Sequence, residues 1–280
     1  MNAKFKSNLE VAGIYLIFGI MTVIIVYPII WAIGMSLNSS TSFYSSSIIP
    51  ENWSFVHYKW LFTDPSSDYL NWYKNSMIVS SASAIFSVVM TSLVAYAFSR
   101  YNFVGKKTGL YTFLILQMFP AMMAMVALYI LLNLVGLLDT LTGLVLIYVG
   151  GQIPFNAWLV KGYLDTIPRE LDEAARIDGA GHLTVFLKII MPLAKPILAV
   201  VALFNFMNPL FDFLLPSIIL QSSENYTLAL GLFNFINDQF SNNFTRFAAG
   251  AILIAAPVAV LYLFLQRYLI SGLTAGGTKG

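Results

Sequence analysis

Cysteine is absent from the 280 residues, which excludes disulfides, thiolate metal ligation and a cysteine nucleophile. The two histidines, His57 and His182, stand alone in the sequence and are too isolated to form a metal site. Charge is scarce as well: 10% of residues are charged, against about 25% in an ordinary soluble domain. A net charge of +2 gives no footing for a nucleic-acid partner. A phosphate loop is also missing. The nearest lookalike, GKKT at Gly105–Thr108, has Arg100 where the first glycine belongs and Lys107 where the hydroxyl belongs. No Ser/His/Asp arrangement and no intramembrane protease motif is visible, so no catalytic residue is assigned. The chain is not expected to be an enzyme by itself. A convincing internal repeat is lacking too, which counts mildly against carriers built from two matching halves.

Apolar sequence takes the place of all this. Hydrophobic residues make up 58% of the chain, and runs of about 20 apolar residues suffice to cross the hydrocarbon core as helices. Such runs lie at 11–37, 74–98, 110–134, 141–160, 196–220 and 247–270. The expected fold is therefore an all-α integral membrane protein with six transmembrane helices spanning 11–270. Residues 1–10 and 271–280 are read as terminal tails. The first run follows Lys4 and Lys6 and imitates a signal peptide, but its length and the lack of a clear small-residue cleavage site mark a retained span.

Six spans with the N-terminus inside place Lys4, Lys6, Arg100, Lys106, Lys107, Lys161, Arg169, Arg176, Lys188, Lys195, Arg267 and Lys279 in the cytoplasm. Only Lys59, Lys74 and Arg246 then fall outside. The positive-inside bias thus predicts both termini to be cytoplasmic.

The connections differ in length. Residues 38–73 form a long external segment with Trp53, Tyr58, Trp60, Trp72 and Tyr73, read as anchors at the membrane boundary. A second external loop covers 221–246. Asp139, in a short external turn, is read as solvated. Pro28, Pro120, Pro154, Pro209 and Pro257 lie within spans, where each removes a backbone donor and kinks its helix. Ser80, Ser81, Ser83, Ser87, Thr91 and Ser92 dot the second span, and small residues at such spacings permit close helix approach.

The most informative stretch is polar. DTIPRELDEAARIDGAGHLTVFLK, from Asp165 to Lys188, carries about a third of all the charges and lies between apolar segments. Lipid rejects such a segment, so it faces water or a soluble partner. Asp165 or Thr166 is suited to cap a helix start, with Pro168 in its first turn. Ile167, Leu171, Ala174 and Ala175 give a narrow apolar stripe. Glu170, Asp172 and Glu173 come early and Arg176 late, as the helix dipole favours. Gly179 is a natural stop, and a second short amphipathic piece follows from His182. The stripe is too thin, and the first turn too acidic, for a helix resting on headgroups. A helix–turn–helix that docks a soluble partner is the expectation.

EAARIDGAGHLTVFLKIIMP resembles the EAA loop of ABC importer permeases. Glu173, Ala174, Ala175, Gly179, Ile189 and Pro192 fall on its pattern, and Met191 stands where leucine is usual, a volume-conserving exchange. NPLFDFLLP and the ending QRYLISGLTAGGTKG are similar to the MalG type, the permease subunit of maltose and maltodextrin importers.

That resemblance implies a type I ABC importer permease fold in the bacterial cytoplasmic membrane, with an EAA coupling loop at about 165–190. The implied ATPase-docking residues are Glu173, Ala174, Ala175, Asp178, Gly179, Ile189 and Pro192. A scoop-like loop within 221–246 would meet an extracytoplasmic sugar-binding protein through Asn234, Asn237, Asp238, Asn242 and Asn243. Thr274, Gly276, Gly277 and Lys279 of the C-terminal tail would reach the ATPase. The implied partners are a second, MalF-like permease, two ATPase subunits, the binding protein and an oligosaccharide, with maltodextrin first and another sugar or glycerol phosphate as alternatives. ATP and Mg2+ would be bound by the ATPase, leaving this chain without a cofactor or metal. An ion-coupled secondary transporter is the rival from another class. Asn205, Asn208 and Asp212 are candidate cavity-lining residues, Asp212 serving either the path or the helix break at Pro209.

Overall fold

Prolines and a few polar side chains decide where the apolar runs break. The computed structural model describes residues 3–40, 50, 52–237 and 243–275. Its helices are α1 (Ala3–Ser36), α2 (Val56–Thr63), α3 (Tyr69–Arg100), α4 (Lys106–Gln117), α5 (Ala121–Leu134), α6 (Leu141–Leu164) and α7 (Glu170–Ile177). There follow α8 (His182–Thr184), a wide π-helical stretch (Val185–Ile190), α9 (Met191–Leu193), α10 (Lys195–Phe211), α11 (Leu214–Ile219), a 3-10 turn (Ser223–Asn225), α12 (Leu228–Phe233) and α13 (Phe244–Ala275). Among the described residues no strand forms, and an isolated bridge joins Asn38 to Trp53.

α1, α3, α6 and α13 are each long and apolar enough to cross a membrane. Two bent pairs bring the number to six if each counts as one span. The first, α4 with α5, bends by 102°. Pro120 stands at this break with extended ψ, where its missing N–H and its ring prevent the helix from continuing. Pro28, Pro154, Pro209 and Pro257 instead lie inside unbroken helices. In the second pair, 182–193 meets α10 at 78°. The run expected at 196–220 is not one helix: it stops at Phe211 and resumes at Leu214. Helix continues into both terminal segments, because α1 begins at Ala3 and α13 reaches Ala275.

The chain divides into two compact units. One comprises Met1–Tyr69 and Leu232–Ala255. Within it, Tyr58 donates its hydroxyl to Ser36 Oγ (2.8 Å). Buried His57 donates Nε2–H to the Asn38 carbonyl (2.9 Å), and burial pushes its pKa down. The Arg246 guanidinium lies 3.9 Å from the Trp60 ring centroid, a cation–π contact. Tyr58 and Trp60 thus each make a structural contact within this unit.

The other unit comprises Leu70–Gly231 and Ala256–Gly280. It holds two apolar clusters. One joins Val79, Leu132, Leu144, Tyr148, Leu215 and Ile219. The second joins Tyr96, Val160, Leu164, Ile167, Val185 and Ile190 and forms the bed of the polar hairpin. Trp72 is buried, not interfacial: its indole donates to Ser223 O (3.0 Å) and its ring covers Gly231, where an added Cβ would lie 2.1 Å from Trp72 Cδ2. Asp139 is not merely solvated either. Its carboxylate accepts the Gln221 and Ser222 N–H groups (2.8 and 3.1 Å) and the Ser222 hydroxyl, so it ties the 221–225 segment to its turn.

Candidate functional site

Two features of the larger unit carry polar groups into places an apolar chain has no structural need of them. The first is the hairpin around α7. Asp165 does not start this helix. It ends α6, where its carboxylate pairs with Lys161 and accepts the Ser99 hydroxyl (2.8 Å). Thr166 turns its hydroxyl back to Tyr163 O (2.7 Å), so neither residue caps α7. A capping residue type reads the same at either helix end, and here the preceding helix uses both.

α7 closes as Gly179 requires. Gly179 has φ of 85°, its N–H reaches Arg176 O (3.0 Å), and Ala180 N–H reaches Ala175 O (2.9 Å). This pair of bonds is the Schellman closure, with glycine at the left-handed position. The apolar stripe lies differently from the expectation. Ile167 is buried, and Ala175 and Ile189 pack partly against the same cluster. Leu171 and Ala174 instead point outward beside Glu170 and Glu173, and Ile177 is 86% exposed. Glu170, Glu173, Ala174 and Ile177, at helical spacing, thus form one uncovered face with both acid and apolar groups. Asp178 and Pro192 are exposed too.

The inward position is taken by Asp172, which the sequence left unassigned. Its Oδ2 lies 3.0 Å from Arg100 Nε, and the two side chains are 7% and 4% exposed. Arg100 also donates to the carbonyls of Leu164 and Ile167 (both 3.1 Å). Nothing in the sequence flags this pair, whose members are far apart along the chain and sit in segments that each have ordinary charges.

The second feature is a cavity of about 830 Å³ between α4, α6 and α10. Asn208 and Asp212 line it, as expected. Asn205 does not: it is fully buried, accepts from Asn156 Nδ2 (3.1 Å) and donates to Val201 O (2.7 Å). It thereby holds Asn156, which does line the cavity with Gln117 and Gln152. Amides inside apolar helices were the available signal for these three. Exposed Phe155, Phe204 and Phe211 supply aromatic walls. Asp212 has both of the roles considered. It faces the cavity, and its Oδ1 accepts the N–H groups of Leu214 and Leu215 (2.9 and 3.3 Å), ending α10 and starting α11. Its Oδ2 accepts from Tyr148 (2.9 Å). None of the lining residues is a lysine or arginine. Among the described residues no cluster of three or more potential metal ligands exists.

Of the expected scoop residues, Asn234 and Asn237 are exposed. Asn243 is buried and accepts Arg246 N–H (2.9 Å) on its Oδ1, which caps the start of α13, so it is turned away from any partner. Asp238 and Asn242 lie outside the described residues, as do Gly276, Gly277 and Lys279. The Thr274 backbone is helical within α13.

Comparison with known proteins gives one answer at three levels. The chain is 49% identical over 278 residues to the galactooligosaccharides transport system permease protein GanQ of Bacillus subtilis, covering 99% of this chain and 98% of GanQ. It is 45% identical over 280 residues to the maltodextrin transport system permease protein MdxG of the same organism, with all of both chains covered. In three dimensions it resembles a chain from the crystal structure of a bacterial ABC transporter involved in import of the acidic polysaccharide alginate. That match has a TM-score of 0.82 and 23% identity, and covers 96% of this chain and 99% of the other. Residues 87–274, which contain the hairpin, the cavity and the Arg100–Asp172 pair, match the model for the inner membrane component of binding-protein-dependent transport systems. This multi-pass membrane protein belongs to that family.

Proposed function

We propose that this chain is the permease subunit of an ATP-driven ABC importer and forms half of the pathway for uncharged oligosaccharides. The observation that carries the reading is the uncovered acidic and apolar face of α7, with Glu173 at its centre. A membrane protein gains nothing from such a face unless a soluble partner covers it. The ATPase is that partner: Glu173 meets a basic residue, Ala174 permits close approach, and Ile177 enters a groove. Both termini lie in the cytoplasm with the hairpin. Asn234, Asn237 and the rest of the 221–246 loop face the binding protein on the other side.

The cavity supports an uncharged cargo. Side-chain amides and one carboxylate offer hydrogen bonds to hydroxyl groups, and phenyl faces match the C–H faces of pyranose rings. This chain's lining holds no lysine or arginine, so it offers a phosphate or uronate no counter-charge of its own, which favours a sugar over glycerol phosphate. MdxG at 45% identity supports maltodextrin, and GanQ at 49% supports a galacto-oligosaccharide as the second reading. ATP closes the ATPase pair, the docked hairpins move, and the cavity turns to the loaded binding protein. ATP and Mg2+ act in the partner.

The test is purification in mild detergent, then reconstitution of whatever ATPase and second permease accompany the chain. ATP-dependent uptake of maltodextrin or galacto-oligosaccharide, requiring the binding protein, is the expected result. Uptake by this chain alone, collapsing with the ion gradient, would establish a secondary transporter instead.

A further inference from the structure

We propose that Arg100 is a positioning residue that makes α7 move as one body with α3 and α6, so that its pair with Asp172 couples ATP hydrolysis to sugar movement. This rests on the docking role of α7 proposed above. Arg100 is the last residue of α3, Leu164 the last of α6, and Asp172 belongs to α7. One guanidinium therefore grips three helices: Nη1 donates to Leu164 O, Nη2 to Ile167 O, and Nε faces Asp172 Oδ2. A second strap runs beside it. Arg169 Nη2 donates to Ser99 O (3.0 Å), and Ser99 Oγ donates to Asp165 Oδ1 (2.8 Å).

α7 has only eight residues and, apart from these bonds, is held by modest packing of Ala175 and of Ile167 just before it. A push on its outer face would roll such a short helix on its bed. Two directional bonds to carbonyls fix the guanidinium, and its ion pair then holds Asp172 in place, so the helix resists rolling more than apolar packing alone would allow. A lysine ammonium lacks the fork geometry that bonds both carbonyls while facing the carboxylate. Stability does not account for the pair, because a buried ion pair is often no better than apolar residues of the same volume. Its distinctive contribution is orientation.

The experiment compares sugar accumulated per ATP hydrolysed in proteoliposomes holding the complete importer, supplied with binding protein. The variants are Asp172→Glu, Asp172→Asn and the double variant Arg100→Met with Asp172→Leu. Wild-type uptake driven by ATP must be present first, and its absence counts against the importer reading rather than against the role of the Arg100–Asp172 pair. We expect Asp172→Asn and the double variant to assemble and hydrolyse ATP with a ratio lowered at least about fivefold, and Asp172→Glu to stay within about twofold of wild type. A wild-type ratio in Asp172→Asn or in the double variant overturns the proposal. So does failure of both to assemble, which would make the pair a structural one. If only one assembles, its ratio decides.

Discussion

Asp139 holds a left-handed backbone (φ 57°) that aspartate tolerates better than most side chains, and uses it to aim its carboxylate at the 221–225 segment. Burial alone would raise its pKa, but hydrogen bonds from the Ser222 hydroxyl and the Gln221 and Ser222 amides outweigh this and hold it below the usual carboxylate range. A depressed folded-state value means that the stabilisation is complete above the ordinary pKa of about 4 and is lost as pH falls through the folded value. The purified chain should therefore lose thermal stability in acid. Asp139→Asn should melt lower at neutral pH and show a flatter acid limb, measured by thermal unfolding in detergent. Gly231 is a second sensitive position. Since a Cβ there would meet the Trp72 ring, Gly231→Ala should cost about 1–3 kcal/mol through overpacking, read in the same assay. Neither residue was legible from sequence. A solvated aspartate and an aspartate that latches two loops look alike until the partner loop is in place, and a boundary tryptophan looks like one packed on glycine.

At the scale of the element, α7 shows which signals travel and which do not. Gly179 was legible because a left-handed stop has a strong residue preference. Glu173 was singled out by a long fixed spacing, and it lies exposed on α7. The orientation of the helix was not: four apolar residues suggested an inward stripe, yet Leu171 and Ala174 face out, because Asp172 takes the inward place with a charge paired from α3. Composition rates an aspartate as outward by default, and only the distant arginine reverses that. Two outcomes follow for this element. Glu173→Lys should leave membrane insertion intact while the ATPase no longer co-purifies, with uptake lost; wild-type co-purification and uptake would remove the docking assignment. Gly179→Val should strain the turn by about 1–2 kcal/mol and weaken ATPase attachment without abolishing it, measurable as a lower retained fraction on washing. The span at 196–220 taught the complementary lesson. Hydropathy saw one apolar run, whereas Asp212 accepts the N–H groups of Leu214 and Leu215 and thereby makes it two helices.

On the scale of the whole molecule, the apolar runs gave the membrane class and the EAA-like pattern pointed to the family, while the bends between α4 and α5 and before α10 were hidden because hydropathy is blind to direction. In the proposed assembly the polar hairpin and the 221–246 loop would serve two different partners. Shortening Asn237–Asn243 should impair sugar delivery from the binding protein while leaving ATPase attachment at wild-type level, and unchanged uptake would refute the scoop assignment. Uncharged oligosaccharides should compete for uptake better than anionic ones, since this half of the lining carries no lysine or arginine.

Arg100 sets a practical condition on chimeras. The hairpin looks like a portable cassette, bounded by two apolar runs and ready to be transplanted between relatives to change motors. Its grip, however, comes from a residue left behind at the far end of another helix. A graft of 165–190 alone would leave host arginine and donor aspartate to chance, so a working transplant has to carry position 100 with it.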